Sequence, residues 1–84
     1  MTRTVELQVT DEVLATLRLD PGSYVAELRV LAAAKLYELG RVSQERAAEI
    51  AGLRRVEFIE ALAAYHVSPF QDTLESLRDE LGHG

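Results

Sequence analysis

Hydrophobic and polar positions alternate in only one stretch of the chain. Thr4-Val5-Glu6-Leu7-Gln8-Val9-Thr10 sets Val5, Leu7 and Val9 against polar neighbours, the period-two pattern of a half-buried β-strand. A single strand leaves its own backbone donors and acceptors unpaired, so the pattern predicts a partner strand. The simplest partner is the same segment of a second copy, which makes Val5, Leu7 and Val9 candidate dimer contacts. An arm lying along the helices is the alternative.

Beyond residue 10 the periodicity changes to that of helices. Thr10 is placed to cap a short helix from Asp11 to about Leu19, with Asp11 and Glu12 in its first turn. Asp20-Pro21 then stops the chain and restarts it, since proline at the first helical position gives up an N–H that would be unpaired anyway. The next helix is predicted from Pro21 to Leu39, with Gly40 in a left-handed cap position. Val25, Leu28, Ala32, Leu36 and Leu39 form its main apolar stripe, while Glu27, Lys35, Glu38 and Arg41 gather on the opposite side. Leu31 lies among the charges, with Val30 and Tyr37 at the flank. So wide an apolar surface predicts burial on two sides, one within the domain and one against another subunit, with Leu31 a candidate dimer contact. Scattered surface apolar residues are the alternative.

Residues 42–66 read as a helix-turn-helix, or more plainly as an αα-hairpin. Ser43 caps the first helix and Gly52 ends it. Ala47, Ala48 and Ala51 keep the inner face small enough for two helices to cross closely, and Leu53 plugs the turn. From about Arg54 the second helix places Phe58, Ile59, Leu62 and Tyr65 toward the first. Its outer face carries Val56, Glu57, Glu60, Ala63 and Ala64, with no basic residue. If the unit meets DNA, Ser43, Gln44, Arg54 and Arg55 are the candidate contacts, near the helix N-terminus where recognition helices read bases. Solvated surface charge explains the two arginines equally well.

His66-Val67-Ser68-Pro69-Phe70 interrupts the helical pattern, because a residue before proline favours extended backbone. A last, acidic helix is signalled from Asp72 or Thr73, with Leu74, Leu77 and Leu81 as a thin apolar stripe. So short a helix is marginal in water and is predicted to order against a surface. The chain thus divides into a dimerisation and helix-turn-helix domain, 1–66, and a partner-binding C-terminal segment, 67–84. Phe70 is a candidate anchor for a partner, with Leu74, Leu77 and Leu81 filling a groove and Arg78 reaching a carboxylate cluster. An ion pair between Arg78 and Glu75 is the plainer reading.

Charge changes this picture in one respect. The net charge of −5 leaves no obvious basic stripe, and 66–84 holds one basic against four acidic groups, so phosphate neutralisation cannot be the dominant theme. With 84 residues and 6% aromatics the core is expected to be shallow and built from Ala, Leu and Val. The absence of cysteine excludes disulfides and thiolate metal sites. No bilayer-length apolar run or signal-peptide pattern is visible, so the expected location is cytoplasmic, with no membrane partner. No phosphate loop, Cys-His pair or His-x-x-x-His spacing occurs, and the expectation is a protein that is not an enzyme and needs no cofactor or metal.

Two blocks carry a family resemblance. Ala34-Lys35-Leu36-Tyr37-Glu38-Leu39-Gly40-Arg41-Val42-Ser43 is followed by Ala47-Ala48-Glu49-Ile50-Ala51-Gly52-Leu53 with Glu57-Phe58 after it, and Glu27-Leu28-Arg29 precedes both. Over roughly residues 5–80 the chain resembles a family of small prokaryotic proteins, formerly uncharacterised, that are regarded as antitoxins of PIN-domain toxins. That resemblance stands beside the fold class read from the residues, mainly α with a short N-terminal strand, a helix-turn-helix and an acidic C-terminal helical tail. It implies the function: a cytoplasmic antitoxin of a type II toxin-antitoxin pair. Such a protein dimerises, can bind operator DNA, and occludes a metal-dependent ribonuclease with its C-terminal segment. The family usually has serine or a similar cap after the Gly-hydrophobic turn, where this chain has Arg54-Arg55. A stand-alone helix-turn-helix regulator and a homo-oligomeric interaction module are the alternative functions.

Overall fold

Each helix of the computed structural model, which describes residues 1–70, begins at a position where a polar group meets the otherwise unpaired N–H groups of the first turn. Thr10 Oγ1 accepts from Val13 N at 3.2 Å and opens α1, Asp11–Leu17. Asp20 accepts from Ser23 N at 2.8 Å and opens α2, Pro21–Glu38, with Pro21 in the first turn as expected. Ser43 Oγ accepts from Arg46 N at 3.1 Å and opens α3, Gln44–Ala51. Before α4, Arg55–Ala64, the device is inverted. Arg54 has no side-chain acceptor, and the Glu57 carboxylate reaches back to Arg54 N at 2.9 Å. Gly40 and Gly52, at φ of 74° and 72°, take the left-handed positions expected of them. α1 is shorter than the sequence suggests, because Arg18 takes the left-handed cap at φ 58°.

The core lies among α2, α3 and α4. Ala47, Ala48 and Ala51 of α3 are buried against Ala33, Ala34 and Tyr37 of α2, and Phe58 and Leu62 of α4 close the cluster. Tyr37 and Phe58 meet edge to face, ring centroids 6.3 Å apart. Leu53, in the turn 52–54 between α3 and α4, packs against this core from above as its plug.

Two expectations about which side chains face the core are corrected. The core-facing stripe of α2 is Val30, Ala33, Ala34 and Tyr37, at i, i+3, i+4 and i+7, rather than the one led by Val25 and Leu28. The reason is helix separation: α3 offers alanines, and only a small-residue face of α2 lets the two backbones approach. The displaced stripe is left outward, with Val25, Ala32 and Leu39 exposed and Leu28 and Leu36 half-buried. Tyr65 is likewise exposed rather than packed on α3, because α4 ends at Ala64 and Tyr65 is its C-cap.

Residues 4–10 form an arm outside the helices. No strand forms among the described residues, and none of the backbone groups of residues 4–9 finds a partner there. Nothing among the described residues is placed to pair with this segment. Val5 and Leu7 are exposed and Val9 half-buried, so the arm does not lie down on the helices either. Helix α1 buries no residue, and Leu31, the other candidate dimer contact, is exposed.

Candidate functional site

The C-terminal end of the described chain is tied to the domain by its backbone. After α4, Val67 N donates to Leu62 O at 2.8 Å while His66 turns through a left-handed φ of 58°, and Val67 packs on the core. The Pro69 carbonyl then accepts from the Tyr37 hydroxyl at 2.6 Å and from Gln44 Nε2 at 3.0 Å. Two donors from two helices on one carbonyl fix the chain direction at this point. The Ser68 hydroxyl accepts from Phe70 N at 3.1 Å, which holds the next residue in a tight turn. Phe70 itself is 86% exposed.

Gln44 connects this anchor to α4. Its Oε1 accepts from Arg55 Nε at 2.7 Å while its amide nitrogen serves Pro69. Arg55 has no carboxylate partner among the described residues. Tyr37, Ser43, Gln44, Glu45, Arg55, Ile59, Pro69 and Phe70 surround an open concavity of about 520 Å³. It has an aromatic edge, an apolar wall, one guanidinium held by its Nε and one carboxylate, that of Glu45. Being open, the surface offers a protein segment apolar contact beside one cation and one carboxylate.

The structure therefore redistributes the candidate residues. Ser43, Gln44 and Arg55, proposed for DNA, and Phe70, proposed for a protein partner, stand around the same concavity. Arg54 is separated from them: its Nε is 3.1 Å from Glu57 Oε1, on the carboxylate that also caps α4. The backbone N–H of Arg54, and after it the guanidinium, hold the Glu57 carboxyl below its usual range. Leu74, Leu77, Arg78 and Leu81 lie outside the described residues. Among the described residues, no three His, Asp or Glu side chains gather where one metal ion could be held, and no helix is long and apolar enough to cross a membrane.

Two members of the arrangement are not evident from the sequence. Tyr37 reads as a flank residue, yet it joins core and anchor at once. Its adjacency to an alanine-rich, core-compatible face was the available signal. Arg29 donates from Nε to Ile50 O at 2.8 Å, meeting an orphan carbonyl at the end of α3 with a cation that the helix dipole favours there. No local pattern announces a contact 21 residues away.

No solved structure matches the chain. The UPF0175 protein of Aeropyrum pernix is 36% identical over 74 residues, which cover 88% of this chain and 82% of that one. The profile of the family described as "Uncharacterised protein family (UPF0175)" matches residues 1–83. With the match running from the N-terminal arm through the α2–α4 core and past the Phe70 anchor, the chain belongs to the UPF0175 family.

Proposed function

We propose that this protein is the antitoxin of a type II toxin-antitoxin pair, binding a PIN-domain ribonuclease in the cytoplasm and occluding its active site without catalysing a reaction. The observation that carries the reading is the exit of the chain at Pro69-Phe70. A carbonyl clamped by Tyr37 and Gln44 launches the acidic C-terminal segment from a fixed point, and the first side chain past the clamp is an aromatic exposed to solvent. Exposed aromatics beside a groove are the usual anchors of protein recognition. The resemblance described above supplies the toxin class, and the four carboxylates after Phe70 make this segment unsuited to nucleic acid.

The test is capture with the tagged full chain from the native host, followed by the Phe70→Ala variant. A small PIN-domain protein is expected to co-purify with the natural sequence. Alanine at position 70 is expected to weaken that capture by one to two orders of magnitude, as loss of a ~2 kcal/mol anchor does. Recovery of the tagged chain alone, or capture indifferent to position 70, would overturn the reading.

A second arm, autoregulation through operator DNA, reads α3–turn–α4 as a helix-turn-helix and is favoured by Arg55, the α4 cation with no acidic partner among the described residues. The acidic outer face of α4 counts against base reading by the rest of the helix, and Arg54 is occupied by Glu57. Specific binding that falls steeply with salt and is lost in Arg55→Ala would establish this arm. The active form is a homodimer in this reading, using Val5, Leu7, Val9 and Leu31.

A further inference from the structure

Residues 4–10 have a property that alternation alone does not require. Thr-Val-Glu-Leu-Gln-Val-Thr reads nearly the same in both directions: threonine at both ends, valine next, then a glutamate answered by its amide counterpart, with Leu7 at the centre. We propose that this segment pairs with itself in a second copy as an antiparallel two-stranded ribbon whose two-fold axis passes through Leu7. The proposal rests on the homodimer reading above and adds its register.

In that register Leu7 faces Leu7 of the partner subunit, each Val5 faces Val9, each Thr4 faces Thr10 and each Glu6 faces Gln8. Valine-valine and threonine-threonine are favourable cross-strand pairs, and the Glu6 carboxylate receives an amide donor rather than its own copy. Neighbouring registers are worse. An axis at Glu6 sets two carboxylates directly opposite each other, and an axis at Gln8 places Val5 against Asp11, which is already the first residue of α1. An axis between residues pairs apolar with polar positions on both faces. The parallel in-register arrangement again brings Glu6 to Glu6. Only the Leu7 axis is a closed, self-complementary solution that keeps all three apolar residues together.

The single chain leaves this segment ready for such pairing. Its backbone from residue 4 to 9 makes no hydrogen bond among the described residues, and Val5 and Leu7 are 81% and 60% exposed. A two-stranded ribbon is marginal in water by itself and needs its apolar face covered. The outward stripe of α2, with Val25 and Leu39 at its ends, is apolar surface that the chain's own core leaves uncovered.

Because the chain has no cysteine, cross-linking reads the register directly. Residues directly opposite in an antiparallel pair have Cα atoms about 4.5–5.5 Å apart, within disulfide reach. Residue 5 of one copy is four positions, roughly 14 Å, out of line with residue 5 of the other. Under mild oxidation, with mass read under denaturing, non-reducing conditions, the full-length Leu7→Cys chain is expected to shift from one-chain to two-chain mass. Val5→Cys alone is expected to stay at one-chain mass, and a mixture of Val5→Cys with Val9→Cys is expected to give the mixed covalent dimer. Sedimentation equilibrium of the natural sequence accompanies these, with two-chain mass expected. One-chain mass there would remove the homodimer and the ribbon together. A dimer in which Val5→Cys cross-links to itself as readily as Leu7→Cys, or in which the Leu7→Cys and mixed pairs both fail, would overturn the register and leave the homodimer standing. Toxin capture, read at Phe70, is a separate measurement from all of these.

Discussion

At Gly52 two requirements meet on one missing side chain. The residue turns the chain from α3 toward α4 at φ 72°, and a Cβ there would lie 3.2 Å from both terminal nitrogens of Arg29. Alanine costs about 1–2 kcal/mol for the left-handed backbone alone. It also pushes on the guanidinium that satisfies Ile50 O, so the strain spreads to the end of α3. Gly52→Ala is expected to lower stability by roughly 2–3 kcal/mol, measured by urea unfolding, with Arg29→Ala restoring little because it orphans the carbonyl. A change below about 0.5 kcal/mol would show that the turn relaxes freely. The glycine itself was legible in the sequence as a helix stop. Its second constraint was not, because Arg29 is brought to it by the packing of α2 on α3.

At the scale of elements, the helix starts were legible and the helix faces were not. Thr10, Asp20 and Ser43 act within three residues of themselves, so local chemistry is enough to place them. Which face of α2 turns inward depends on the size of what it meets. A hydrophobicity count favours Val25, Leu28 and Leu36, whereas alanines on α3 select Ala33 and Ala34. The arm illustrates the same limit from the other side, since its alternation is plain in the sequence but no partner for it stands among the described residues. The start of α4 is an intermediate case: the two arginines suggest no cap, and Glu57 supplies one three residues later. That cap carries a pH dependence of defined sign. The Glu57 carboxyl is held below its ordinary value of 4.5, chiefly by the Arg54 backbone N–H. A carboxyl depressed in the folded state contributes its stability above its unfolded pKa and loses it as pH falls through the folded one. Asp20, held below 3.8 by the Ser23 N–H, acts in the same direction at lower pH. Glu57→Gln keeps an acceptor for Arg54 N but removes the titration. Its unfolding midpoint is therefore expected to fall less steeply than that of the natural sequence as pH drops below about 4.5, with the two curves separated at pH 7. Parallel acid limbs would mean that the cap carboxylate does not sense its partner.

For the whole molecule the decisive quantity is how little one chain buries. Eight hydrophobic residues are buried among those described, and five of them are alanine; Tyr37, Phe58 and Leu62 are the larger three. Alanine packing lets helices come close but removes little apolar area from water, and small domains are already short of burial. Meanwhile Val5, Leu7, Val13, Leu17, Val25, Leu31 and Leu39 remain exposed, all of them between the arm and the end of α2. More of the uncovered apolar surface lies in the N-terminal half, while Val56, Tyr65 and Phe70 are exposed in the C-terminal half. In the proposed homodimer such a fold would gain stability by mass action. Its thermal midpoint is expected to rise with protein concentration, by about 3–6 °C for each tenfold increase if unfolding and dissociation are one step. Leu7→Lys places a charge at the centre of the ribbon. It is expected to abolish that dependence and to hold the midpoint at or below the lowest value reached on dilution. A midpoint unchanged over a hundredfold range in the natural sequence would place all of the stability in the α2–α4 core, and the exposed N-terminal half would then need a different partner to explain it.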